Sequence, residues 1–210
     1  MTAVRRRVAL LLALVAVLAV GAGGFALGRG SAPDRRTTTG PAAVDVGFSQ
    51  DMAVHHEQAI LMSTLAQTRG TVTVRTIANG ILAGQSQELG ALRGWLRLWD
   101  APAADPHPMA WMSTEHTMPG MSMPMPGMAT GGQLTRLAQR HGRRFDVLFL
   151  QLMIRHHQGG ILMAADARQH AALGVVRDAA ASMIVQQVED IGAMRALLRA
   201  EGGRPLPAPH

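Results

Sequence analysis

Residues 45–62 read DVGFSQDMAVHHEQAILM, and residues 146–163 read DVLFLQLMIRHHQGGILM. At a constant offset of 101, ten of these eighteen positions are identical, which marks a duplication rather than chance: Asp45/Asp146, Val46/Val147, Phe48/Phe149, Gln50/Gln151, Met52/Met153, His55/His156, His56/His157, Ile60/Ile161, Leu61/Leu162 and Met62/Met163. A second pair follows at offset 102. Residues 75–97 (RTIANGILAGQSQELGALRGWLR) align with 177–199 (RDAAASMIVQQVEDIGAMRALLR). Here Arg75/Arg177, Gln85/Gln187, Gly90/Gly192 and Arg93/Arg195 match, and Glu88 faces Asp190. Each half is therefore one copy of a two-segment unit.

Both segments carry a helical period. Phe48, Met52, His55, Ala59 and Met62 recur at steps of three and four, as do Ile77, Ile81, Gln85, Glu88, Leu92 and Trp95. Such spacing places them on one helix face. Arg69-Gly70-Thr71 and His170 to Gly174 break each half, with glycine available as a helix stop. Two helical hairpins, 45–99 and 132–201, predict an all-α chain folded as an antiparallel four-helix bundle. A short extra helix is expected over 132–141, and the tail 202–210 is expected to be disordered.

Outward from the repeats, composition narrows the chemistry. The 210-residue chain has no Cys, which excludes disulfides, thiolate metal sites and thiol nucleophiles. A soft metal ligand must come from the 14 Met or 9 His. All 20 basic residues are Arg; four lie in the first 30 residues, so residues 31–210 carry 16 Arg against 14 acids. A net of +2 without a basic block argues against nucleic-acid binding. Arg5-Arg6-Arg7 precede twenty uncharged residues, Val8 to Leu27. Residues 1–30 thus read as a signal peptide or N-terminal membrane anchor that places the rest outside the cytoplasm. Residues 31–44 read as a flexible linker.

The connector, residues 100–131, is too rich in Pro for helix and long for a link. Within it fall Met109, Met112, Met118, Met121, Met123, Met125 and Met128, together with His107 and His116. Flexible thioethers at this spacing suit Cu(I) or Ag(I), and a sticky partner surface is the competing reading.

On the helices, adjacent residues point about 100° apart, so one His of each dyad can face inward while its neighbour faces sideways. Met52, His55, His56 and Met62 share a face, and Met153, His156, His157 and Met163 repeat it. Imidazole with thioether suits copper; the same Met residues also serve as core filler. Gln85, Glu88, Gln187 and Asp190 can support the imidazoles from the neighbouring helices or form a polar network that fixes register. Asp51, four residues before His55, can orient it, although the equivalent position is Leu152. The motifs of zinc proteases, di-iron carboxylate bundles, P-loop NTPases and nucleophile-elbow hydrolases are absent.

The pattern F-x-x-x-M-x-x-H-H-x-x-x-I-x-M, followed by a helix with Q-x-x-E/D, resembles the bacterial family called domain of unknown function 305, over about residues 45–200. The arrangement is similar to the duplicated actinobacterial members. The resemblance implies a ferritin-like four-helix bundle and, for some extracytoplasmic members, a link to copper binding and tolerance. It carries Met52, His55, His56, Met62, Met153, His156, His157 and Met163 onto the family motif. Gly159-Gly160 departs from it, where the family often has a polar residue then Gly-Ala. The expected function is a non-enzymatic copper buffer or chaperone, with a copper-accepting protein as partner. An envelope scaffold with structural His pairs is the alternative, and a redox enzyme the third. Because imidazole must be neutral to ligate, Cu(II) affinity is expected to fall below about pH 6.

Overall fold

The computed structural model describes residues 40–112 and 124–209. Among them are five helices and no strand: α1 (Ala43–Arg69), α2 (Val72–Leu98), α3 (Gly131–Ala138), α4 (Gly142–His170) and α5 (Gly174–Ala200). The duplicated hairpins are α1–α2 and α4–α5, each tightly packed within itself, and the halves meet mainly along α1 and α4. The short helix α3 starts with a reciprocal cap, Thr130 Oγ1 accepting from the Gln133 amide and Gln133 Oε1 from the Thr130 amide.

A pair of equivalent aspartates ties the halves together. Asp45, in the first turn of α1, accepts from the amides of Ala172 and Leu173, where α5 begins, and from Ala42 at its own helix start. Asp146, in the first turn of α4, accepts from the amide of Thr71, where α2 begins. Each repeat thus caps the break of the other. The exchange also sets α1 antiparallel to α4.

The core divides in two. One apolar cluster gathers Met62, Ile81, Phe145, Phe149, Leu152, Met153 and Leu198. The other gathers Phe48, Met52, Leu92, Met109, Met163, Val176 and Met183. Between them lies a polar waist. Each long helix crosses it once: α1 at His55-His56, α2 at Gln85 and Glu88, α4 at His156-His157, α5 at Gln187 and Asp190. All three tryptophans belong to the second cluster: Trp95 and Trp99 stack, and Trp111 meets Phe48 edge to face.

The tail does not continue α5, yet it has a place on the body. Leu206 packs on the first cluster, and the Arg204 carbonyl accepts from Gln151 Nε2 at 2.8 Å. Among the described residues, no helix is long and apolar enough to cross a membrane. The expected signal or anchor segment, 1–30, and the linker as far as residue 39 lie outside the described residues.

Candidate metal centre

All four dyad histidines are buried, so both rings of each pair are drawn inside. His55 and His156 face each other across the seam between the halves, with ring centroids 3.7 Å apart and ring planes tilted by 30°. Their neighbours turn toward their own hairpins. His56 Nε2 lies 2.7 Å from Glu88 Oε2, and His157 Nε2 lies 3.2 Å from Asp190 Oδ2. His55 Nε2 lies 3.2 Å from the Pro126 carbonyl oxygen. A carbonyl or carboxylate only accepts, so in all three rings the proton sits on Nε2. In the neutral ring this leaves Nδ1 as a lone pair, and among the described residues Nδ1 of His55, His56 and His157 has no partner. Among the described residues, the side-chain amide of Gln187 has no partner on either atom, and His156 makes no hydrogen bond of full geometry, the His55 backbone being the group that faces it.

Burial sets the protonation of the central pair. Loss of water pushes His55 down to about 3, the His56 ring adds to this, and the Pro126 carbonyl opposes it. His156 is lowered for the same first reason, reinforced by His55, His157 and His56. Both rings are therefore neutral well below the ordinary imidazole range. The limit of about pH 6 expected from free imidazole accordingly does not hold for these two rings.

The thioethers divide by location. Met52 and Met163 lie in the second apolar cluster, Met62 and Met153 in the first, all fully buried. Of the connector residues, Met109, Met112 and Met125 pack on the second cluster, and Met128 lines a surface pocket with Met125. His116, Met118, Met121 and Met123 lie outside the described residues. Among the described residues, no three His, Asp or Glu side chains form a group that could hold a metal ion.

Asp51 does not orient His55. Its Oδ2 accepts from the Met109 amide at 2.6 Å and the Trp111 Nε1–H at 2.7 Å, fastening the connector's first limb to α1. Burial raises its carboxyl above the ordinary value, against the pull of these two bonds. Met109 itself has φ 67°, a left-handed backbone that the Asp51 bond helps to hold. The connector's second limb lands on the waist. Gln58 pairs twice with Ala129, Oε1 accepting from its amide at 2.6 Å and Nε2 donating to its carbonyl at 3.0 Å. A β-carbon at Gly159 would overlap the Pro126 carbonyl, and one at Gly160 would press on the Gln187 amide. The two glycines that depart from the family motif are thus the places where chain and side chain approach the α4 backbone. Sequence reasoning missed these roles of Gln58, Gly159, Asp45 and Asp146. Only the aspartates carried a signal, by standing at equivalent helix starts.

Residues 45–198 match the family model described as Domain of unknown function (DUF305). A DUF305 protein of Streptomyces coelicolor, named as a candidate secreted protein, is 35% identical; the match covers 80% of this chain and 98% of that one, with a TM-score of 0.72. A DUF305 fragment from Deinococcus radiodurans is 28% identical over 77% of this chain and 99% of that one, with a TM-score of 0.65. CopM in its Cu(I)-bound form shares the fold at 22% identity, over 76% of this chain and 98% of that one, with a TM-score of 0.57. No curated protein matches the chain.

Proposed function

This chain belongs to the DUF305 family, and from that premise we propose that it is an extracytoplasmic copper-binding protein, a buffer or chaperone that contributes to copper tolerance without catalytic turnover. The observation that carries the reading is the waist: four buried imidazoles, three of them with Nε2 committed to an oxygen and Nδ1 left as an unpartnered lone pair. Leaving such atoms buried and unpaired is costly unless something fills the need. Fixing one ring nitrogen so that the other can ligate is the usual arrangement behind a metal-bound imidazole. No three His, Asp or Glu converge among the described residues, so thioether completes the set, with Met52 and Met153 preceding the dyads by one turn. Such a mixed set holds Cu(I) well and zinc poorly.

The closeness of His55 and His156 supports a single centre shared by the halves, with one ion per chain there. Met residues of the connector gather further Cu(I). Support for copper comes also from CopM, which shares the fold and is known in Cu(I)-, Cu(II)- and Ag-bound forms. Support for a place outside the cytoplasm comes from the Streptomyces relative. The N-terminal segment supplies a signal or membrane anchor, and a copper-accepting protein is the natural partner.

Anaerobic competitive titration of residues 31–210 with Cu(I), with Zn(II) beside it, tests the reading. Tight Cu(I) with weak Zn(II) is expected. Replacing His55, His56, His156 and His157 by Ala is expected to remove the Cu(II) component and leave connector-bound Cu(I). The paired His56–Glu88 and His157–Asp190 contacts favour a second reading, in which the waist is a register-fixing network of a scaffold. Absence of Cu(I) binding tighter than micromolar would establish that one instead.

A further inference from the structure

The connector rejoins the bundle through residues 124–130, a strap lying across the seam between α1 and α4. Its inner side covers the facing imidazoles, the Pro126 carbonyl accepting from His55 Nε2–H. Its outer side, with the tail residues Pro207, Ala208 and Pro209, forms a surface pocket of about 460 Å³ that displays Met125, Met128 and Arg155. The strap therefore separates a thioether-lined pocket from an imidazole-lined interior by the thickness of one backbone.

Few bonds hold it there. The strap backbone lies directly on helix backbone: Gly127 has φ +79°, and a β-carbon on it would overlap the Arg155 carbonyl, as one on Gly159 would overlap that of Pro126. Of the strap's side chains, Met125 packs on the second cluster and Ala129 is buried in the first. The Met128 carbonyl accepts from Arg155 at 3.3 Å, near the limit of a hydrogen bond. The short, two-point attachment is the Gln58–Ala129 pair. Among the described residues, Gln58 makes no hydrogen bond to an imidazole.

We infer that the strap 124–130 is a latch over the waist and that Gln58 is its clasp, a positioning residue that sets how readily an ion gathered at Met125 and Met128 reaches His55 and His156. The inference rests on the copper reading for its cargo, and on geometry alone for its cover. For an ion or reagent to pass from the pocket to the His55 ring, the strap must swing aside and the Gln58 pair must open with it; once it closes, the Pro126 carbonyl again accepts from Nε2–H and Nδ1 is the ligating atom.

The full chain tests this with two readouts. The first is the rate of Cu(I) uptake from a chromophoric chelator under anaerobic conditions. The second uses no metal: the rate at which diethyl pyrocarbonate modifies His55, read by peptide mass spectrometry. Removing two neutral hydrogen bonds in Gln58→Ala is expected to speed both by roughly ten-fold or more, with stoichiometry at saturation unchanged. Gln58→Glu keeps the acceptor for the Ala129 amide and loses the donor, so an intermediate rate is expected. Gly159→Ala displaces the strap from the other side and should match Gln58→Ala. Wild-type His55 modification rates in all three variants would overturn the latch. A lower stoichiometry in Gln58→Ala would also overturn it, because Gln58 would then be a ligand. Faster His55 modification with no Cu(I) uptake in any form would uphold the latch and sink the copper reading.

Discussion

The two repeats agree at the waist and disagree under the connector. Of the eight differing pairs in the aligned eighteen positions, four meet the connector. Gly47, against Leu148, makes room for Trp111; Asp51, against Leu152, binds the Met109 amide and Trp111. Arg155, against Val54, reaches the Met128 carbonyl, and Gln58 and Gly159, equivalent to each other, grip the strap from opposite sides. Positions that form the polar waist stay paired: His55/His156, His56/His157, Gln85/Gln187. Symmetry is kept where both halves face one point and lost where a single connector must be seated. Half of the differences between the repeats in this segment thus lie along the path of the connector.

The pH response probes the symmetric part most strongly. In the folded chain His55 and His156 stay neutral, whereas unfolded imidazole takes a proton near pH 6.5. Below that value the unfolded state binds more protons, so stability falls as pH falls, at about 1.4 kcal/mol per unit for each ring. For His55 the loss continues until about pH 3, where the folded form also protonates. Urea unfolding of the metal-free protein from pH 7 to pH 4.5 should show this slope. His55→Gln and His156→Gln should each remove about half of it if the halves are equivalent. A flat profile would mean that the rings are not dry.

The asymmetric part yields the next largest effect. Asp51→Leu installs the second repeat's residue in the first and strands two buried donors. A loss of about 2–4 kcal/mol is expected in urea unfolding, together with a change in Trp111 environment. An unchanged midpoint would mean that the connector's first limb is not fastened there.

The acids beside the outer rings sharpen the comparison further. Glu88 lies closer to His56 than Asp190 does to His157. Glu88→Gln should therefore weaken Cu(I) binding by roughly ten-fold, and Asp190→Asn by less. Competitive titration that ranks them the other way would break the equivalence of the two outer contacts with their function. The smallest effect belongs to the crossed caps. Asp45 accepts three amides and Asp146 one, with Asp146 Oδ2 unpartnered. Asp45→Asn should cost about 1–2 kcal/mol and Asp146→Asn about 1 kcal/mol or less, by chemical denaturation.

Much of this was legible in the sequence because it is local. Helical period located all four long helices, and Gly70 and the Ala171–Leu173 turn fall in the expected breaks. The equivalence of the His dyads points to matching roles in the two halves. Three things were not legible, each for a tertiary reason. The dyads were read with one ring inward and one sideways, but the second ring is buried too, because an acid on the adjoining helix awaits it. Asp51 was read by its i, i+4 relation to His55, while its partners lie 58 and 60 residues away. Gly159 and Gly160 stand out in the sequence as a departure from the family pattern, but nothing in α4 itself announces that the connector and Gln187 will occupy their missing side chains.

The placement of the tryptophans has a spectroscopic consequence. The chain has three Trp and no Tyr, and Trp95, Trp99 and Trp111 all sit at one end of the bundle. Intrinsic fluorescence is therefore a local reporter: it sees the end where Trp111 anchors the connector and is silent at the end built around Phe145 and Phe149. Emission and circular dichroism, followed together through unfolding, would separate the release of one end from the melting of the whole without adding a label.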